Sequence, residues 1–213
     1  MVKKCISQEM LKGIACGAML LDHIGKAFGP WKWMNAVGRM AFPIYCFLLC
    51  EGAARTRSPG RYGARLLLCA LLAELPFDFL FYGGLDWAHC STMVTLCLGF
   101  PVAQSIQKSQ DKRWWIATIV MAAFLAEAVG SDYGGIGILQ IAIFALPVDA
   151  IVRSVAMLVL WAATEEPLQM FAILSLVPIG LYSGRKLISS RLLQWLFYLF
   201  YPAHMAVLFL LTK

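Results

Sequence analysis

Apolar runs separated by charged or Gly/Pro-rich breaks occupy most of the chain. A helix needs about 20 residues to cross hydrocarbon, within a range of roughly 17 to 25. On that measure about nine runs are candidate spans: residues 11–28, 33–53, 62–82, 91–107, 114–129, 133–150, 153–164, 168–182 and 192–212. The seventh is short, and Pro147 interrupts the sixth. No internal repeat or low-complexity linker divides the series. The pattern predicts one domain, residues 1–213, folded as an all-α polytopic membrane bundle.

Charge orients the bundle. With an odd span count and a cytoplasmic N-terminus, the inner segments hold Lys3, Lys4 and Lys12; Arg55, Arg57, Arg61 and Arg65; Lys108, Lys112 and Arg113; Arg153; and Arg185, Lys186 and Arg191. The outer segments and their flanks hold Lys26, Lys32 and Lys213, but also Asp78, Asp86, Glu127, Asp132, Glu165 and Glu166. Merging the sixth and seventh spans would place Arg185, Lys186 and Arg191 outside, against the positive-inside bias. Nine spans, N-terminus in and C-terminus out, is the topology the charges favour.

Composition agrees. Of 213 residues 61% are hydrophobic and only 14% charged, whereas a soluble domain is nearer half apolar and a quarter charged. The net charge of +6 arises from clusters between apolar runs, without a basic stripe carrying interleaved aromatics, so it argues for topology and against nucleic acid. The seven cysteines form no CxxC and no Cys/His zinc spacing, which predicts structural thiols and no metal. The first apolar run carries Asp22 and His23 and lacks a small-residue cleavage site, so no cleavable signal peptide is expected.

Those two residues open the functional question. An ionisable side chain at membrane depth costs roughly 2.5–3.5 kcal/mol on insertion scales, and such residues usually face the bundle interior. At about 1.5 Å per residue, Asp22 and His23 lie roughly 8–9 Å below the outer end of the first span, and Arg39 roughly 9 Å below its own. Glu74 and His204 lie roughly 12 Å below theirs. Five ionisable groups from four spans therefore share one layer. Each also has a plain structural explanation: Asp22 pairing with Arg39, His23 bonding a backbone carbonyl, Glu74 serving a kink at Pro76, and His204 satisfying carbonyls freed by Pro202. Glu51 is set to pair with Arg55 at i, i+4, and His89 reads as a solvated loop residue. Glycines 134, 135 and 137 resemble a phosphate cradle but fall on the outer side, so helix packing is favoured.

The runs LKGIACGAMLLDHIG, GRMAFPIYCFLLCEG, RYGARLLLCALLAELPF and FYLFYPAHMAVL, with TLCLGF, YGGIG and LYSGRK between them, resemble the TraX family over nearly the whole chain. That family is linked to N-terminal acetylation of conjugative pilin, and is distantly similar to multi-span acyltransferases with a histidine near the outer end of their first helix. His23 is the matching position. The chain departs from the pattern where Arg55 precedes Thr56, and again in the Ser58–Pro59–Gly60 turn.

The resemblance implies an enzyme of the bacterial inner membrane. It would transfer acetyl from cytoplasmic acetyl-CoA to an exported acceptor: a pilin N-terminus, another envelope amine or an amino sugar. Such chemistry needs a base or acyl carrier and fixed positive charge near the carbonyl oxygen. His23, Asp22, Arg39, Glu74 and His204 are the candidate catalytic residues. Arg55, Arg57, Arg61, Arg65, Arg185 and Lys186 are candidates for the phosphates of the donor. Neighbours on a helix point about 100° apart, so whether Asp22 serves His23 or Arg39 stays open. A proton-coupled permease and a non-catalytic envelope assembly factor are the alternatives; the missing repeat weighs against the permease.

Overall fold

The structure, a computed structural model, describes residues 4–29, 31–164, 166–188 and 190–213. Lys3 and Glu165 of the charge tally lie outside the described residues. Helices carry the fold: α1 Gln8–Phe28, α2 Lys32–Gly38, α3 Ala41–Arg55, α4 Pro59–Phe81, α5 Thr92–Lys108, α6 Lys112–Ala128, α7 Gly134–Ala145, α8 Ala150–Ala162, a 3-10 segment Pro167–Ser175 leading into α9 Leu176–Gly180, and α10 Arg191–Leu211. Among the described residues β pairing is confined to isolated bridges, Ile6 with Tyr182 and Cys90 with Ser131.

Each apolar run coincides with a helix or a pair of short helical pieces. The second run breaks at Arg39–Met40 into α2 and α3, directly after Gly38. The sixth stops at Ala145, because the residue before a proline disfavours the α conformation and Pro147 cannot continue the ladder. Lys32–Arg55 and Leu192–Leu211 are long and apolar enough to cross a membrane; α7 and α8, at 12 and 13 residues, fall short of that length. The helices α1 and α4, at 21 and 23 residues, have the length but carry several charges. An all-helical fold is thus present, while helix length alone does not supply nine crossings.

Contacts divide the chain into two compact units, residues 1–45 with 150–213, and residues 46–149; the boundary falls inside α3. In the first unit α1 packs along α2 and α10, and the 3-10 segment packs on α2, α8 and α9. Ser7 caps α1 by accepting from the Met10 N–H. The segment after α9 is tied to the start of α1: Ile6 N–H donates to Leu181 O, Ser183 N–H to Ile6 O, and Gln8 N–H to Arg185 O. Lys12 lies 5.2 Å from the centre of the Phe197 ring, and one face further along α1 carries His23 against His204. Both pairings advance in the same sense, so α1 and α10 run parallel.

In the second unit α5 packs against α4, α6 and α7. Two of its thiols are bonded within it: Cys50 donates to Ile141 O, and the Gln140 amide donates to the Cys46 sulfur. None of the seven cysteines, all among the described residues, is in a disulfide. The expected Glu51–Arg55 pair forms, at 2.6 Å. The glycine stretch at the start of α7 does hold an anion, but the anion is internal. Gly135 N–H donates to the Glu127 carboxylate at 2.7 Å.

Candidate functional site

α1 brings three kinds of contact to one stretch. On the side facing α2, Gly38 abuts Asp22 so closely that a Cβ there would stand 2.3 Å from the Asp22 Cβ. Only glycine allows this approach. It sets the Asn35 amide to donate both to the Asp22 carbonyl, at 3.0 Å, and to its carboxylate, at 3.2 Å. One turn on, Lys26 completes an i, i+4 ion pair with Asp22 at 2.9 Å.

On the side facing α10, His23 meets His204. Nδ1 of His23 and Nε2 of His204 are 2.7 Å apart, and both residues are buried, at 6% and 7% exposure. The rings lie within 4° of parallel with centres 5.0 Å apart. A ring radius of about 1.15 Å at each end accounts for the difference between 5.0 and 2.7 Å, so the bond runs in the shared ring plane rather than between stacked faces. Nδ1 of His204 lies 2.6 Å from the Phe200 carbonyl, one turn back on α10. Phe200 stacks on the His204 ring, and the buried Tyr201 sets its edge against both imidazoles, at 5.9 and 5.6 Å.

The remaining candidates separate. Arg39, at the C-terminal cap of α2, pairs with Glu166 at 2.8 Å and not with Asp22, one of the two partners that the sequence left open for Asp22. The cause is the close seat of Gly38: it gives Asp22 to Asn35 and Lys26, while the next residue reaches the start of the 3-10 segment. Glu74 belongs to the other compact unit, where both carboxylate oxygens accept from the Ser91 N–H, at 3.1 and 3.2 Å, and one from the Ser91 hydroxyl. That unit also holds Arg55 on Glu51, Arg61 donating to Ser58 at 2.7 Å, exposed Arg57, and Arg65 over the Tyr62 ring. Arg185 and Lys186 are exposed in the first unit, on the segment tied to α1. His89 lies in the loop after α4, largely exposed and bonded to Asp86 at 3.2 Å.

Sequence reasoning did not find Asn35, Tyr201 or the Phe200 carbonyl. The proline at 202, two residues before His204, was the one hint that a backbone group nearby would matter. Chemically, a buried pair of imidazoles can take up one proton and share the resulting charge. Among the described residues no group of three or more His, Cys, Asp and Glu side chains is placed to hold a metal ion.

A family model described as TraX protein matches residues 7–212. The chain is also similar to a protein described as "Probable fimbrial assembly protein FimC, serogroup H1" from Dichelobacter nodosus, 28% identical over 235 residues, covering 95% of this chain and 94% of that one. No solved structure matches. A family match running from the N-terminal cap of α1 to the end of α10 makes this protein a member of the TraX family.

Proposed function

We propose that this protein is a multi-pass membrane acetyltransferase that moves an acetyl group from cytoplasmic acetyl-CoA to an amine presented at the outer side, with His23 as the base. The contact of His23 with His204 carries the reading. Two polar rings, one from α1 and one from α10, are buried against each other where an apolar pair would pack at lower cost. The reaction gives them a use.

In the transfer, the acceptor nitrogen attacks the thioester carbonyl and forms the C–N bond. His23 takes the proton released from that nitrogen, the C–S bond breaks, and the proton passes to the departing thiolate sulfur. His204 shares the charge on His23 while it holds the proton. From Leu11 to His23 the helix climbs about 18 Å, comparable to an extended pantetheine arm, so a thioester entering from the cytoplasmic end reaches the imidazole. Arg185 and Lys186, in the same unit as His23, are cations offered to the donor's phosphates.

Membrane placement fits the surfaces. Leu71 on α4, Phe124 on α6, Ile151 on α8 and Leu210 on α10 are 62%, 68%, 77% and 71% exposed, a distribution suited to lipid and costly in water. The parallel course of α1 and α10 agrees with first and last spans that cross in the same direction. The name carried by the Dichelobacter relative favours a pilus subunit as the acceptor, with a small amine or amino sugar as the other class.

The test is acetyl-CoA binding and hydrolysis by purified protein in detergent, wild type against His23→Ala. Slow thiol release that disappears in the variant supports the enzyme, and transfer is expected to fall by about 10²–10⁴. The same relative's name favours a second reading, a non-catalytic assembly factor. It predicts that pilus assembly survives His23→Ala and fails when outer loops are changed.

A further inference from the structure

We infer that His204 is a positioning residue that fixes His23 in the tautomer whose basic atom is Nε2, and that the Phe200 carbonyl imposes this order. A carbonyl oxygen can only accept, so the His204 nitrogen 2.6 Å from Phe200 O, Nδ1, carries the hydrogen. A neutral imidazole has a single N–H, which makes Nε2 of His204 an acceptor. Nδ1 of His23 lies 2.7 Å from that acceptor and must donate. The lone pair of His23 therefore resides on Nε2.

The ring geometry fits the same order. An N–H lies in the plane of its imidazole, and an acceptor lone pair lies in the plane of its own ring. Two rings within 4° of parallel, joined along the line of their centres, satisfy both conditions. Phe200, stacked on His204 at 4.9 Å, and Tyr201, edge-on to both rings, hold the planes where the bond needs them.

A free histidine side chain favours the opposite form, with its hydrogen on Nε2. Left alone, His23 would spend most of its time with the wrong nitrogen protonated for the nitrogen that projects away from His204. The relay Phe200 O, His204, His23 removes that loss. A proton then taken up at Nε2 gives an imidazolium whose Nδ1–H still points at His204. The pair charges and discharges without either ring turning. The direction of the relay stands on hydrogen-bond chemistry alone; what Nε2 is used for rests on the acetyl-transfer reading above.

The experiment is nitrogen-15 NMR of histidine-labelled full-length protein in lipid nanodiscs at neutral pH, which reads which ring nitrogen of each histidine is protonated. The chain has three histidines, and His89→Gln removes the signal of the third. Wild type is expected to show Nδ1–H on both His23 and His204. In His204→Gln the amide oxygen replaces the acceptor, so His23 keeps Nδ1–H and transfer falls less than in His204→Ala. In His204→Ala, His23 reverts to Nε2–H and transfer falls by about 10²–10⁴, the scale on which a wrong tautomer acts in a catalytic triad. Nε2–H on His23 in wild type overturns the inference, as does an unchanged His23 tautomer in His204→Ala. The spectra need no substrate. The stated proton order in a protein without acetyl transfer would uphold the relay and bring down the reaction instead.

Discussion

Glu74 and His204 make an instructive pair. Each is an ionisable residue inside an apolar helix, two positions from a proline; His204 is buried and Glu74 half-buried. Glu74 is answered by two adjoining residues: the N–H and hydroxyl of Ser91, with the Cys90 thiol beside them, close on its carboxylate and fasten the N-terminal cap of α5 to α4. His204 spends one nitrogen on its own helix, at the Phe200 carbonyl, and the other on His23 of α1. Two ionisable residues in like sequence surroundings thus have different partners. Burial of a charge-bearing group does not by itself mark chemistry; the partners that each group is given tell the two apart.

The largest test of that contrast is His23→Ala set beside Glu74→Gln in one acetyl-transfer assay. The histidine change is expected to remove about 10²–10⁴ of the rate, and the carboxamide to reduce it far less. A Glu74→Gln loss equal to that of His23→Ala would erase the distinction. Next in size is Gly38→Ala. The added methyl meets Asp22 and pushes α1 from its seat, at a cost of about 1–3 kcal/mol, read as a lowered unfolding temperature in detergent. Because Asp22 adjoins His23, this change should also lower transfer, whereas it leaves the Glu74–Ser91 clamp alone.

Glu74→Gln itself exchanges a charged acceptor for a neutral one, a loss of about 1 kcal/mol of stability. Ser91→Ala, which keeps the N–H and loses the hydroxyl, should cost no more. The smallest effect is a pH dependence at Glu9. Partial burial pushes its carboxyl up, but the N–H groups of Leu187 and Ile188, at 3.1 and 3.4 Å, outweigh it and hold the group below its ordinary value of 4.5. A depressed carboxyl contributes above its unfolded pKa and stops contributing as pH falls through the folded one. Proteolysis within 183–188 should therefore speed up below about pH 4.5 in wild type and show no such rise in Glu9→Gln.

Much of this was legible in the residue string. Nine apolar runs coincide with helical segments because Gly, Pro and charge punctuate both, and the layer estimate from helical rise selected His23 and His204, which do meet. The partner of Arg39 was not legible. Charge complementarity offered Asp22, but the absence of a side chain at Gly38 decided the seat of α2, and a missing atom makes little signal in a sequence. The 3-10 winding of Pro167–Ser175 has the same apolar content as an α-helix, so hydropathy could not distinguish them. The Phe200 carbonyl was invisible for a simpler reason. Every residue has one, and only the fold shows which of them a side chain will use.

The two imidazoles are separated by 181 positions. A ribosome therefore releases α1 into its surroundings long before the second ring has been synthesised. Throughout that interval His23 follows the ordinary tautomer preference of an isolated side chain, and the neighbouring helices assemble around an unfinished centre. The pair exists only once α10 lies along α1. Chains cut short by a frameshift or a stalled ribosome would hold most of the helices and none of the proton order.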